Sequence, residues 1–180
     1  MKKIFLIAAI FFSALSEAQI RKITLQASGL TCSMCSNAIS KSLKSLDAVE
    51  HVNSLIQSSS FEVIIKPGRE ISFDLIRKKV EDAGFFVARM EALISFDHVK
   101  VVDDSHVSVA GMIMHFLNSK SQELNGEHTV RILDKGFVTA KEFKKGERYT
   151  AMSCYKTGVA GSCCSTFGLK PGTRIYHVSN

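Results

Sequence analysis

Tryptophan is absent from this chain, and proline occurs only at Pro67 and Pro171. Past Leu15 there is no apolar stretch approaching the ~20 residues that cross a bilayer, which excludes a membrane-spanning body. The sequence carries no glycine-rich phosphate loop, no nucleophile elbow and no assignable acid–base pair, so catalysis is not expected. The six histidines show no His-x-x-x-His pairing, and the two halves do not repeat each other. Cysteine is sparse: five thiols are too few to staple a miniprotein, and an odd number cannot pair completely within one chain. Charge of one sign is also lacking. The balance of +6 comes from 23 basic against 17 acidic residues, and the basic ones are scattered, as solvated faces are. Nucleic acid is therefore not an expected partner.

The first residues, "MKKIFLIAAIFFSALSEAQ", place Lys2 and Lys3 before an apolar run from Ile4 to Leu15. Ser16, Glu17 and Ala18 then offer small residues two apart. This is the pattern of a signal peptide over residues 1–18, with Gln19 as the mature N-terminus. The expected location is periplasmic or secreted.

Residues 21–28, "RKITLQAS", alternate apolar and polar, as a half-buried strand does. Ile39, Leu43 and Leu46 fall on one face of a helix starting near Ser33. Strands are expected over 49–57 and 61–66, the second stopped by Pro67-Gly68. Ser72 can cap a second helix that carries Asp74 in its first turn, buries Ile76, Val80 and Ala83, and ends at Gly84. A last strand runs from Phe85 to about Phe96. The order β-α-β-β-α-β is the ferredoxin-like plan, expected here as an α+β domain over 19–96. From Asp97 the texture changes. Strands are read over 106–116, 129–133 and 173–178, with a turn at 134–137 followed by a further segment over 138–143. The expectation for 97–180 is a β-rich, barrel-like second domain.

Between the first strand and first helix lies "GLTCSMCSNAI", Gly29 to Ile39. Cys32 and Cys35 are three residues apart, about one helical turn, so both sulfurs can meet one ion. A helix N-terminus favours thiolate over thiol. Two exposed thiolates suit a soft, low-coordinate ion such as Cu(I), with Hg(II) or Ag(I) as substitutes, whereas Zn(II) would need two further ligands. The same spacing also serves thiol–disulfide exchange or an inert structural bridge. Metal binding is preferred because Thr31, not an aromatic residue, precedes the pair, and the element order is not thioredoxin-like.

The stretch resembles the metal loop of the heavy-metal-associated domain family, whose usual form is Gly-Met-Thr-Cys-x-x-Cys. "VEDAGFFV", Val80 to Val87, resembles that family's passage from helix to strand. The resemblance covers about residues 21–96 and is shared with copper chaperones, modules of metal-pumping ATPases and exported mercury-binding proteins. It implies that Cys32 and Cys35 ligate the metal, that Phe85 packs beside the loop and shields it, and that Leu30 stands in the core where the family has Met. The implied partners are the metal ion and a metal-transporting membrane pump or another copper protein.

A second cluster, "MSCYKTGVAGSCCSTFG", spans Met152 to Gly168. Cys163 and Cys164 are adjacent and would bridge each other only with strain. A disulfide from Cys154 to one of them is the preferred reading; a soft-metal site of Cys154, Cys163 and Cys164 with Met152 nearby is the alternative. Met112 and Met114 share a strand face and are read as core filling rather than thioether ligands. His115 and His177 are read as structural.

Overall fold

The computed structural model describes residues 18–30 and 33–180. The expected signal peptide (except Ala18) and Cys32 lie outside the described residues. Four strands and two α-helices build the first half, with a 3-10 turn over Ile56–Ser58 between the second and third strands: β1 (Gln19–Ser28), α1 (Ser33–Lys44), β2 (Val49–Leu55), β3 (Ser60–Ile65), α2 (Phe73–Asp82) and β4 (Phe86–Val101). The strands align in the order β2-β3-β1-β4, all antiparallel, with the helices on one face. This is the expected α+β ferredoxin-like arrangement. Alternation drives it: Ile23, Leu25 and Ala27 of β1 are buried against Ile39 and Leu43 of α1 and Ile76 and Val80 of α2. The Ser72 side chain accepts the Leu75 N–H at 3.1 Å, capping α2 as the sequence indicates. Gly84, at φ +88°, follows the helix end in the left-handed conformation that glycine adopts without steric cost.

The second half does not form a barrel. Its strands β5 (Ser105–Val109), β6 (Met112–Phe116), β7 (Gln122–Ile132) and β8 (Ile175–Ser179) continue the same sheet, giving one open eight-stranded order β2-β3-β1-β4-β7-β8-β6-β5. The cause is β4. It runs 16 residues, through position 96/97, and pairs with β1 over 86–95 and with β7 over 91–101. An edge that would otherwise expose unpaired N–H and C=O groups is thereby covered by the chain's own second half.

One local expectation is corrected. The single strand read over 106–116 is a hairpin, folded at Ala110-Gly111, where both residues take positive φ (+50° and +71°) as a two-residue type I′ turn requires. The further segment over 138–143 opens a helix: Thr139 caps the short α3 (Ala140–Gly146), accepting the Glu142 N–H at 3.3 Å. A further short helix, α4 (Cys154–Thr157), and a 3-10 helix over Ser162–Phe167 complete the chain.

The halves are locked where α2 meets β8. The Phe73 ring packs edge-on against Tyr176, centroids 5.0 Å apart, and both residues are buried. Tyr176 Oη donates to Asp74 at 2.9 Å, and Arg174 grips the same carboxylate through Nε at 2.7 Å. Burial pushes the Asp74 carboxyl up, but the Arg174 hydrogen bonds and charge and the Tyr176 hydroxyl outweigh it, leaving the group below its ordinary 3.8. A carboxyl depressed in the folded state stabilises the fold above the unfolded value and loses that contribution as pH falls through the folded one.

Two outcomes follow from this junction. Phe73→Ala should cost about 3–5 kcal/mol, with the two halves losing structure together in urea followed by far-ultraviolet dichroism and by tyrosine fluorescence. Asp74→Asn should lower the urea midpoint at neutral pH and flatten its decline below about pH 4, a range set by ordinary carboxyl titration. An unchanged acid limb would show that this carboxylate is not part of the lock.

Candidate metal centres

The first candidate lies where β1 hands over to α1. Gly29, at φ +78°, ends the strand, and the chain turns into a twelve-residue helix whose third residue is Cys35. Cys35 is half-buried, while its neighbour Met34 is 80% exposed, so the first turn of α1 presents the sulfur near the surface. Leu30 and Phe85 are partly buried and both pack against the main core. The helix is held in position from below: Ile39 and Leu43 are fully buried, and Ser42 Oγ donates to the Lys79 carbonyl of α2 at 2.8 Å. The positive end of the α1 dipole lies at the first turn, which carries Cys35.

The second candidate sits on the opposite sheet face. Register places His106 of β5 directly opposite His115 of β6, and His115 beside His177 of β8. Their strand neighbours Val107, Met114, Phe116, Tyr176 and Val178 face the main core, so alternation turns the three imidazoles the other way. The His106 and His115 rings stack with centroids 4.1 Å apart. Above them lie α4 and the 3-10 helix. Cys154 Sγ is 3.9 Å from His106 Nε2 and 3.8 Å from His115 Nδ1, and Cys164 Sγ is 3.7 Å from His106 Nε2. Cys163 Sγ stands 3.4 Å from Cys164 Sγ at the partly exposed rim.

The three cysteines of this cluster are thiols, not the Cys154 disulfide expected from the sequence. Burial pushes the Cys154 and Cys164 thiols up. Cys163 goes the other way: a 3.3 Å hydrogen bond from Ser153 Oγ is the main cause that brings it down to about 7. Burial lowers both His106, to about 4, and His115, so both rings are neutral at pH 7. Asp104 Oδ1 lies 2.9 Å from His115 Nε2. With the proton on Nε2 and shared with that carboxylate, Nδ1 keeps its lone pair and turns it toward Cys154. His177 is tied elsewhere, with Nδ1 2.6 Å from buried Asp134, which is the structural role expected of it.

Residues 24–86 match the family model described as heavy-metal-associated domain. A copper transporter domain from yeast, known from its solution structure, is 31% identical over 36% of this chain and 88% of that one, with a TM-score of 0.34. Residues 24–86 belong to the heavy-metal-associated domain family. The oxidized MerP of Ralstonia metallidurans is 23% identical over 39% of this chain and 96% of that one, with a TM-score of 0.36. No curated protein matches the chain significantly. The heavy-metal-associated domain ends at the start of β4, so the family assignment does not extend to the histidine and cysteine cluster.

The sequence reading named Cys154 and Cys164 of the second cluster but neither of its histidines as a ligand. His106 carried no signal, and His115 was read as structural, because neither lies at a spacing that marks a ligand; they meet only through strand register. Met114 is fully buried and Met112 packs against the core, so these two are core filling, as read. In the reduced protein an alkylating reagent should label Cys163 ahead of Cys154 and Cys164, and Ser153→Ala should slow that labelling at neutral pH. Peptide mass mapping over time checks this; equal rates at all three thiols would refute the assigned exposure and hydrogen bond.

Proposed function

We propose that this chain is an exported carrier or buffer of a soft metal ion, held by Cys32 and Cys35, with Cu(I) as the cargo. The observation that supports this reading is the heavy-metal-associated match over residues 24–86, which spans the Cys-x-x-Cys sequence, together with Cys35 in the first turn of α1 beside it. Two thiolates at a surface helix mouth satisfy a Cu(I) ion that accepts two ligands. They also leave it open to attack by a third thiolate, so the ion can pass to a partner without first dissociating. Ag(I) and Hg(II) accept the same pair. The role is binding and transfer, without catalysis.

Transfer has a partner of matching chemistry: a metal-transporting pump module or another copper protein that presents its own thiolates. Among the described residues no helix is long and apolar enough to cross a membrane. The leader read over residues 1–18 sends the mature chain, starting at Gln19, to the periplasm or beyond. Outside the cytosol the pair closes to a disulfide unless it is metallated or kept reduced, so loading is redox-gated.

The test is competition of the reduced, mature protein against a Cu(I) chelator, followed by native mass spectrometry. Cys32→Ser/Cys35→Ser should lose the chelator-competitive ion while its circular dichroism stays unchanged. A Cu(I) affinity equal to that of the parent protein would overturn the assignment of the cargo site.

A further inference from the structure

The segment between α3 and β8 is held in part by buried Tyr155, whose hydroxyl donates to the Leu133 and Phe143 carbonyls at 3.3 and 2.9 Å. Its small apolar cluster buries Cys154, Ala160 and Cys164 with Ile175, apart from the main core. Two of those four residues are cysteines, and both face histidines of the sheet. Within the segment Ala160 N–H donates to Thr173 O at 2.8 Å, and Ile175 N–H of β8 donates to Gly158 O at 3.0 Å. A metal cross-link would add to these contacts, because binding free energy at a site made by folding is also folding free energy.

The ligand atoms are already spaced for one. In tetrahedral coordination with metal–sulfur bonds of about 2.3 Å and metal–nitrogen bonds of about 2.0–2.1 Å, sulfur and nitrogen ligands stand roughly 3.5 Å apart. Three of the six separations among the ligand atoms of Cys154, Cys164, His106 and His115 are 3.7, 3.8 and 3.9 Å, a few tenths of an ångström above that value, and the ligand atoms of His106, His115 and Cys154 lie within 4.8 Å of one another. These distances are long for hydrogen bonds to a thiol. The Asp104–His115 pair, at 2.9 Å, is the carboxylate–imidazole arrangement that orients a ligating histidine and fixes its free nitrogen.

We propose that Cys154, Cys164, His106 and His115 form a second metal site, separate from the Cys32–Cys35 loop, that holds a divalent d10 ion of the zinc class in tetrahedral S2N2 coordination. Charge selects the divalent ion. Two buried thiols lose two protons to the solvent as the ion enters, and two thiolates with one dication leave no net charge in the interior. A monovalent ion would leave a buried negative charge. Cys163, at the rim and 3.4 Å from Cys164, is the thiol placed to receive the ion first. The bound ion ties α4 and the 3-10 helix to β5 and β6 on the sheet face that α1 and α2 leave uncovered.

The experiment uses the full mature chain with Cys32→Ser/Cys35→Ser, so that failure of the cargo loop cannot affect the result. The reduced protein is titrated with Co(II) and Zn(II). One equivalent of Co(II) should bind with the strong charge-transfer absorption of thiolate ligands and be displaced by Zn(II), and Zn(II) should raise the melting temperature. His106→Gln, on a partly exposed strand position, and Cys164→Ser should each abolish the charge-transfer band; Asp104→Asn should weaken binding about 10–100-fold. Cys163→Ser should retain the full stoichiometry. Absence of a Co(II) or Zn(II) complex in the reduced protein overturns the site. So does binding indifferent to His106→Gln in a folded variant, or binding of Cu(I) alone. A Cys154 disulfide that persists in protein isolated under thiol-blocking conditions overturns it as well.

Discussion

The structure depends on β4 being hydrogen-bonded along both of its edges. In a four-stranded β-α-β-β-α-β unit this strand would be an edge. Here it is 16 residues long and overlaps two partners, β1 over its first part and β7 over its last. Backbone hydrogen bonds contribute little net free energy each, but leaving buried donors and acceptors unpaired costs far more. The pairing with β7 therefore decides that the second half extends the sheet instead of closing on itself. A bulge between Phe96 and Val99, with His98 at φ +49°, lets the strand bend where it passes from one partner to the next.

One continuous sheet has two faces, and the chain uses them differently. On one face α1 and α2 bury a single core that runs from Ile23 and Phe61 through Met114 and Tyr176. The Phe73, Asp74, Arg174 and Tyr176 contacts tie that helix layer to the far strands. On the other face the residues of β5, β6 and β8 that alternate with this core are His106, His115 and His177. Placing three imidazoles on a sheet face requires something polar or metallic above them, and the segment carrying Cys154 and Cys164 supplies sulfur.

The two cysteine clusters are opposites in their physical chemistry. The first, in the reading proposed above, lies at a helix N-terminus, where the dipole favours thiolate and a two-thiolate site would exchange its ion readily. The second is buried, neutral and flanked by imidazoles, and its thiols resist ionisation until a cation takes the place of their protons. Such a site retains its ion. In the functional reading proposed above, this separation keeps the exchangeable ligands apart from the ones that hold the fold.

The sequence by itself determined the elements of the first half, since strand alternation, the Ser72 cap and the 3.6-residue period of α1 and α2 are local properties. It also put Cys35 in the first turn of α1, because the apolar period of that helix is a local property too. What it did not determine was the partner of β4, the turn at Ala110-Gly111 (which lacks the usual Asn or Asp), and the helix capped by Thr139. The meeting of His106 and His115 with Cys154 and Cys164 was decided by tertiary structure alone. Those residues lie up to 58 positions apart, and which of them face one another is set by strand register, in which a slip of one residue would turn each imidazole to the other side of the sheet.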